Sequence, residues 1–265
     1  MRHITKVLRN NQLAENIFDM EVYCPELAST AQPGQFAHIR IRNSIDPLLR
    51  RPISICDVNK EQGTVRFVYR KHGYGTTLLS ELGEEGIELD VLAPLGNGKF
   101  PVEIESQQVY LIGGGIGVPP LLYAAKQLAN NNIEVHAILG FASKNQVILE
   151  EEFKQHGNVH VYTIDGSYGN KGLVTDYFSN VQVNCYCACG PKPMLRVLMS
   201  HPSFVQARGY LSFEEHMACG IGACMGCVTK IKALDKDDSS ESQSWKYAKI
   251  CDCGPVFTSE KVVFE

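Results

Sequence analysis

The sequence predicts a small antiparallel β-barrel, then a parallel sheet with helices on both faces, then a cysteine-rich tail. Three observations carry this reading. Short apolar runs broken by turns fill the first hundred residues. Strand–helix alternation begins at Val109. Five of the ten cysteines lie in the last 47 residues, from Cys219 onward. The expected units are 1–98, 99–213 and 214–265, and 265 residues at roughly 150 per domain agrees with two domains.

In chain order, Ile17–Tyr23 and Phe36–Ile41 are apolar or period-2 runs separated by a Pro33-Gly34 turn. Arg51–Asp57, Thr64–Arg70 and Glu88–Leu92 continue the pattern, with one helical stretch, Tyr74–Leu82, between them. Strands this short and this close suit a barrel. After the Pro94–Gly98 loop, Val109–Ile112 ends in a glycine turn and Leu121–Leu128 has helical spacing. Val135–Phe141 with Ile148–Lys154, Val159–Ile164 with Val174–Phe178, and Cys185–Cys189 with Met194–Met199 repeat that unit, and Tyr210–Phe213 is the last strand. The acidic, serine-rich run Asp235–Ser244 reads as a solvated loop.

Composition narrows the function. Hydrophobic residues make up 44%, enough for a proper core, and 25 basic against 29 acidic side chains give a net charge of −4. No basic field is present to hold nucleic acid or a membrane surface. The uncharged stretch Ser106–Ala125 is interrupted by four glycines and two prolines, which argues against a bilayer span. The N-terminus has no apolar export segment, so a soluble, cytoplasmic protein is expected.

Ten cysteines are too sparse for a disulfide scaffold, and clustered cysteines in a reducing compartment are more often metal ligands. Cys219, Cys224 and Cys227 have the C-x4-C-x2-C spacing of a plant-type [2Fe–2S] centre. Gly220, Gly222 and Gly226 let the backbone wrap the metal. Structural zinc more often shows paired C-x2-C elements. Cys251 and Cys253 are both available as the fourth ligand.

Gly113-Gly114-Gly115-Ile116-Gly117-Val118-Pro119-Pro120 follows a strand and opens a helix, a place where backbone can approach a pyrophosphate. It is neither G-x-G-x-x-G nor a P-loop. Cys189-Gly190-Pro191 supplies a second turn on the same rim, while Cys185 and Cys187 read as core packing. Arg50-Arg51-Pro52-Ile53-Ser54, Val68-Tyr69-Arg70 and Gly73-Tyr74-Gly75-Thr76-Thr77 form a third group. There an arginine fork and a Gly-Thr turn suit phosphate, and Tyr69 is placed to cover a flat ring. His38, His72, His136 and His216 read as structural. No nucleophile–base pair, G-x-S-x-G or H-E-x-x-H is present, so no catalytic residue is assigned.

RRPIS, VYR, GYGTT, GGGIGVPPL, CGPKPM and EEHMACGIGACMGCV…CDCGPVF, in this order, resemble the electron-transfer subunits of the dihydroorotate dehydrogenase B family, within the ferredoxin-reductase-like superfamily. The resemblance spans nearly the whole chain. It implies an all-β flavin-binding barrel, an α/β parallel-sheet nucleotide-binding domain and a C-terminal [2Fe–2S] subdomain. FAD would be held by Arg51, Pro52, Ile53, Ser54, Val68, Tyr69, Arg70, Gly75 and Thr76. NAD would be held by Gly113, Gly114, Gly115, Gly117, Cys189, Gly190 and Pro191. The cluster would take Cys219, Cys224, Cys227 and Cys251, leaving Cys253 aside. Between Cys227 and Cys251 lie 23 residues, a longer gap than the family hairpin. The implied partner is an FMN-containing dihydroorotate dehydrogenase catalytic subunit, two of each chain forming a heterotetramer. Two other readings share some features: an NAD(P)H-dependent flavin and iron–sulfur reductase subunit of a ferredoxin:NADP or sulfide-type complex, and a zinc-stabilised binding module. The segment Gly140–Lys144 has no acidic residue for a ribose hydroxyl, so NAD over NADP follows from the resemblance alone.

Overall fold

A computed structural model describes residues 1–41, 45–83, 86–233 and 244–264. Six strands close the barrel: β1 (Arg2–Ala14), β2 (Ile17–Tyr23), β3 (Phe36–Arg40), β4 (Arg51–Asn59), β5 (Thr64–Arg70) and β6 (Glu88–Leu95), in the order β1-β2-β5-β4-β3-β6. Helix α1 (Pro25–Thr30) follows β2 and α2 (Tyr74–Ser80) follows β5. β2 pairs with β5 without a break, from Ile17 opposite Arg70 to Tyr23 opposite Thr64. Alternate residues of both strands therefore meet inside, where Met20, Val22, Val65 and Phe67 are buried.

The second sheet contains β7 (Gln108–Gly114), β8 (Glu134–Phe141), β9 (Asn158–Thr163), the short β10 (Asn170–Lys171), β11 (Cys185–Cys189) and β12 (Arg208–Ser212), all parallel. The tail adds β13 (Val228–Lys232), β14 (Trp245–Lys249) and β15 (Val256–Thr258). The strand order is β10-β9-β8-β7-β11-β12-β15, with β15 antiparallel at the edge. Helices α3 (Pro119–Asn130) and α4 (Glu150–Lys154) follow β7 and β8, and α5 (Lys192–Ser200) follows β11. Val109 and Leu111 pack with α3 on one face, Tyr110 and Ile112 with Leu195 and Leu198 of α5 on the other. Among the described residues no helix is long and apolar enough to cross a membrane. The uncharged stretch 106–125 contains β7 and the first half of α3.

Barrel and sheet share a core, because Ile17, Cys56 and Val68 pack with Leu121, Leu122 and Ala125 of α3. The tail also does not stand apart. Cys227, Ile250 and Cys251 join Phe213 and Phe257 in one apolar cluster, and Gly98 N–H donates to Gly254 O at 2.8 Å. β13 and β14 form a hairpin, from Val228 opposite Lys249 to Lys232 opposite Trp245. All of the acidic run except Ser244 lies outside the described residues.

Candidate flavin pocket and cysteine cage

β4 leaves Arg51, Pro52, Ile53 and Ser54 half-buried along one wall of a cleft, beside Val68 and Arg70 of β5 and Thr76 of α2. Residues 213–217 form the facing wall, just after the carboxyl end of β12, and Ile116 of the glycine turn closes one end. The two arginines of Arg50-Arg51 are separated by their partners. Arg50 donates to the Asp90 carbonyl at 2.7 Å and to its carboxylate at 2.9 Å, so it braces β6. Arg51 faces the cleft, and its guanidinium lies directly over Gly75, where any Cβ would overlap it. Gly75 thus makes the cradle in which this cation rests.

Tyr69 also lines the cleft, with most of its ring packed inside the barrel. Strand alternation turns Val68 and Arg70 outward and Tyr69 into the barrel. It is 1% exposed, stacks on Phe18 at 5.8 Å and donates from its hydroxyl to Asn10 Oδ1 at 2.9 Å. Its ring supports the cleft from beneath. Thr76 Oγ1 accepts from His72 N–H at 2.7 Å and sits 2.8 Å from the His72 carbonyl, so this hydroxyl shapes its own turn. His72 and His216, read as structural from sequence, both line the cleft, as do Phe36, Phe213 and Glu214. The signal available for residues 213–217 was their place at the carboxyl edge of the last parallel strand.

The glycine turn and the Cys189–Pro191 turn are in contact on one rim. A Cβ on Gly117 would overlap the Cys189 carbonyl, and one on Gly114 would lie 2.7 Å from Met194 Sδ and 3.0 Å from Pro191 Cδ. Gly113 is similarly closed by Val118, at 2.7 Å. These three glycines admit neighbouring protein. Gly115 is different: its φ is +55°, and its open side looks toward Arg70, whose Nη2 would be 3.4 Å from a Cβ. Cys185 and Cys187 are buried on the face shared with Cys189, as core packing requires, and burial pushes all three thiols up.

The tail draws Cys219, Cys224, Cys227 and Cys251 around one loop. Gly222 N–H donates to Cys251 Sγ at 3.1 Å, Cys224 N–H to Cys219 Sγ at 3.4 Å and Cys251 N–H to Cys227 Sγ at 3.4 Å. Gly220 and Gly222 have φ of +69° and +77°, which turns the backbone amides inward. Burial opposes ionisation of Cys219, but amides of Ile221, Cys224 and Ala223 outweigh it and bring the thiol down to about 6. Cys251 moves up instead, through burial and its hydrogen bond with Cys227. A [2Fe–2S] centre held by these sulfurs would supply the positive charge that stabilises their thiolate forms. Amide-to-sulfur bonds and glycine turns are the donor chemistry an anionic iron–sulfur centre needs. Among the described residues no three His, Cys, Asp or Glu side chains are gathered for a single metal ion. Cys251 is buried and Cys253 exposed, which favours Cys251 as the fourth ligand.

His38 of β3 packs against the cysteine loop. It is fully buried, and Gly220 must lack a Cβ to admit its ring. Burial, then the Arg50 cation, brings its imidazole down to about 4, so the wedge is neutral.

The model of the iron–sulfur cluster binding domain of dihydroorotate dehydrogenase B matches residues 214–263. A dihydroorotate dehydrogenase B (NAD(+)) electron transfer subunit from Geobacillus sp. (strain WCH70) is 42% identical over 261 residues, covering 97% of this chain and 96% of that protein. This chain belongs to that family. A second dihydroorotate dehydrogenase B electron transfer subunit, from Bacillus caldolyticus, is 43% identical over 255 residues, 95% of this chain and 94% of its own. Among solved structures, one reporting an NADH-dependent reduced ferredoxin-NADP oxidoreductase superposes with a TM-score of 0.84 at 28% identity, over 98% of this chain and 90% of the other. The cytochrome b5 reductase domain of Ulva prolifera nitrate reductase superposes at 0.61 with 16% identity, over 78% and 93%, a likeness of fold. The barrel-plus-parallel-sheet architecture expected from sequence is the one this chain adopts, and these solved structures share it. The dihydroorotate dehydrogenase B match over 214–263 includes all four candidate ligands.

Proposed function

We propose that this chain carries electrons between NAD(H) and the FMN of a dihydroorotate dehydrogenase catalytic subunit, by way of FAD and a [2Fe–2S] cluster, where dihydroorotate becomes orotate in pyrimidine biosynthesis. One observation carries the reading: a single run of chain forms a wall of the cleft and then enters the cysteine loop. Residues 213–217 wall the cleft opposite Arg51–Ser54, and Cys219 follows two residues after Met217. When bound, FAD supplies the exchange between hydride and single electrons, and the cluster supplies a one-electron store.

The chain's own residues bind, orient and exclude water. Arg51, in the Gly75 cradle, and Arg70 offer guanidinium groups to the FAD pyrophosphate. Pro52, Ile53 and Val68 present apolar surface to the isoalloxazine, and Ser54 adds a hydroxyl. Thr76 fixes the turn that closes on the phosphates. Gly113, Gly114 and Gly117 hold the nicotinamide-side turn against Cys189, Gly190 and Pro191, leaving Gly115 as the open approach for NAD. Cys219, Cys224, Cys227 and Cys251 bind the irons, with their sulfurs held by loop amides. The sequence carries no acid–base pair suited to oxidising a carbon substrate, so that chemistry belongs to the partner. The heterotetramer with two of each chain, and its place in the cytoplasm, rest on family membership.

A second reading, an NADH-driven reductase subunit serving a different acceptor, is favoured by the chain-wide likeness at 28% identity. The partner distinguishes them. Anaerobic co-purification with the catalytic subunit should yield acid-extractable FAD, about two irons and two sulfides per chain, and dihydroorotate-dependent NAD+ reduction that needs both subunits. Absence of flavin or of iron overturns the cofactor reading. Bleaching by NADH without activity in the pair overturns the partner.

A further inference from the structure

Lys249, the last residue of β14, stands two positions before Cys251 and has no role in the function described above. Its Nζ donates to the Gly222 carbonyl at 2.5 Å, and the N–H of that same glycine donates to Cys251 Sγ at 3.1 Å. Its own carbonyl accepts from Cys253 N–H at 2.8 Å and Asp252 N–H at 3.2 Å, which fixes its backbone to the turn that carries the fourth ligand. The lysine therefore ties the turn holding Cys251 to the loop between Cys219 and Cys224. It brings a half-buried cation to the glycine whose amide touches a ligand sulfur. Asp252 is the opposing charge. Its Oδ2 would be 3.2 Å from a Cβ on Gly222, and its Oδ1 accepts from Asn97 Nδ2 at 3.3 Å.

Four thiolates and two sulfides outweigh two ferric irons, so the cluster is an anion and becomes more so on gaining an electron. A fixed cation favours the more negative state. A lysine that also holds the Gly222 amide on Cys251 Sγ adds to that preference, because hydrogen bonds to ligand sulfur lower the energy of added charge.

We propose that Lys249 is a positioning residue that sets the cluster's reduction potential upward, by clamping Gly222 against Cys251 and placing its ammonium beside the electron-bearing state. This rests on the cysteine cage holding a [2Fe–2S] centre. The step it biases is the gain of one electron, supplied from NADH by way of the flavin. No bond forms or breaks at Lys249.

The test uses the full-length chain, purified anaerobically with its cluster, as wild type, Lys249→Arg, Lys249→Gln and Lys249→Met. Iron and sulfide are counted, and the midpoint potential is read by EPR-monitored redox titration. All four should carry full iron. Lys249→Arg should stay at the wild-type potential, while Lys249→Gln and Lys249→Met shift to more negative values, Met by at least as much. Lys249→Gln is the deciding variant because it can still donate to Gly222 while lacking charge. Fully loaded Gln and Met variants at the wild-type potential overturn the proposal. So does loss of iron from both, with Arg retaining it, since the lysine would then serve retention instead of tuning. A wild-type chain without iron overturns the underlying cluster reading, and that result is visible before any variant is made.

Discussion

Lys126 Nζ of α3 lies 3.1 Å from both carboxylate oxygens of Asp57 on β4, and 3.0 Å from the Val58 carbonyl. This contact joins the helix after the glycine turn to the strand that carries Arg51–Ser54. The two side chains are 30% and 25% exposed, so the pair is worth more than a solvated ion pair. Lys126→Met should destabilise the chain by about 1–2 kcal/mol, by loss of the pair and by leaving a half-buried carboxylate without its cation. Urea unfolding of Lys126→Met, Asp57→Asn and the double variant checks it. The double should cost less than the two singles together.

Gly75→Ala tests the flavin cradle with one methyl group. The added Cβ overlaps the Arg51 guanidinium, which must leave its place over α2. FAD content should fall severalfold while iron content stays at the wild-type value, because the cysteine loop is built from other residues. Acid-extracted flavin and iron counts on the same preparation measure both. Equal flavin content in Gly75→Ala would show that Arg51 binds elsewhere.

Much of this architecture was legible because inward positions were apolar. β2, β5 and β11 have the predicted bounds, since Ile17–Tyr23 and Thr64–Arg70 alternate and Cys185–Cys189 is buried throughout. β1 was missed for a physical reason. Its inward residues His3, Thr5 and Asn10 are polar and hydrogen-bonded inside, while Ile4 points out at 55% exposure, so the hydrophobic period is hidden. The β13–β14 hairpin was obscured by its interspersed lysines, and β15 is only three residues long. In the site, spacing identified the thiol loop. What sequence could not give was which arginine faces the cleft, since that depends on Asp90, about forty positions away in the chain.

Asp90 makes that difference, and its titration gives a pH signature. Burial pushes its carboxyl up, but hydrogen bonds from Arg2 and Arg50 outweigh this and leave it below the usual carboxylate range. A depressed folded-state value means stability present above the unfolded value and lost as pH falls through the folded one. Asp90→Asn should therefore be less stable than wild type at pH 7, by about 1 kcal/mol or more given a mostly buried pair. The gap should begin to shrink below about pH 4, the unfolded-state value, and go on shrinking as the folded carboxyl takes up its proton at lower pH. Thermal unfolding of both proteins across that window follows it. A gap that stayed constant with pH would assign the loss to packing.

Gly117→Ala separates the nicotinamide turn from the flavin site. The new Cβ meets the Cys189 carbonyl, which is backbone and cannot swing aside, so the two turns must part. KM for NADH should rise severalfold with bound FAD retained, and stability should fall by about 1–3 kcal/mol. Gly115→Ala has room for its methyl group but strains a φ of +55°. Its stability loss should be smaller, about 1 kcal/mol. Steady-state NADH oxidation with an artificial acceptor, beside flavin counts, compares the two.

The choice between the last two cysteines follows from burial and from one amide. Cys251 is 2% exposed, its Sγ accepts from Gly222 N–H at 3.1 Å, and its N–H donates to Cys227 Sγ at 3.4 Å. It is thus bound at both ends to the loop that holds the other three thiols. Cys253 is exposed, and its N–H donates to Lys249 O at 2.8 Å, which turns the chain away after the ligand position. Cys251→Ser should remove most of the iron and the EPR signal of the reduced cluster, since serine offers a harder, poorly ionised oxygen. Cys253→Ser should keep both. Iron loss in Cys253→Ser with iron kept in Cys251→Ser would reverse the assignment, and would require the 250–254 turn to rotate so that an exposed thiol entered the cage.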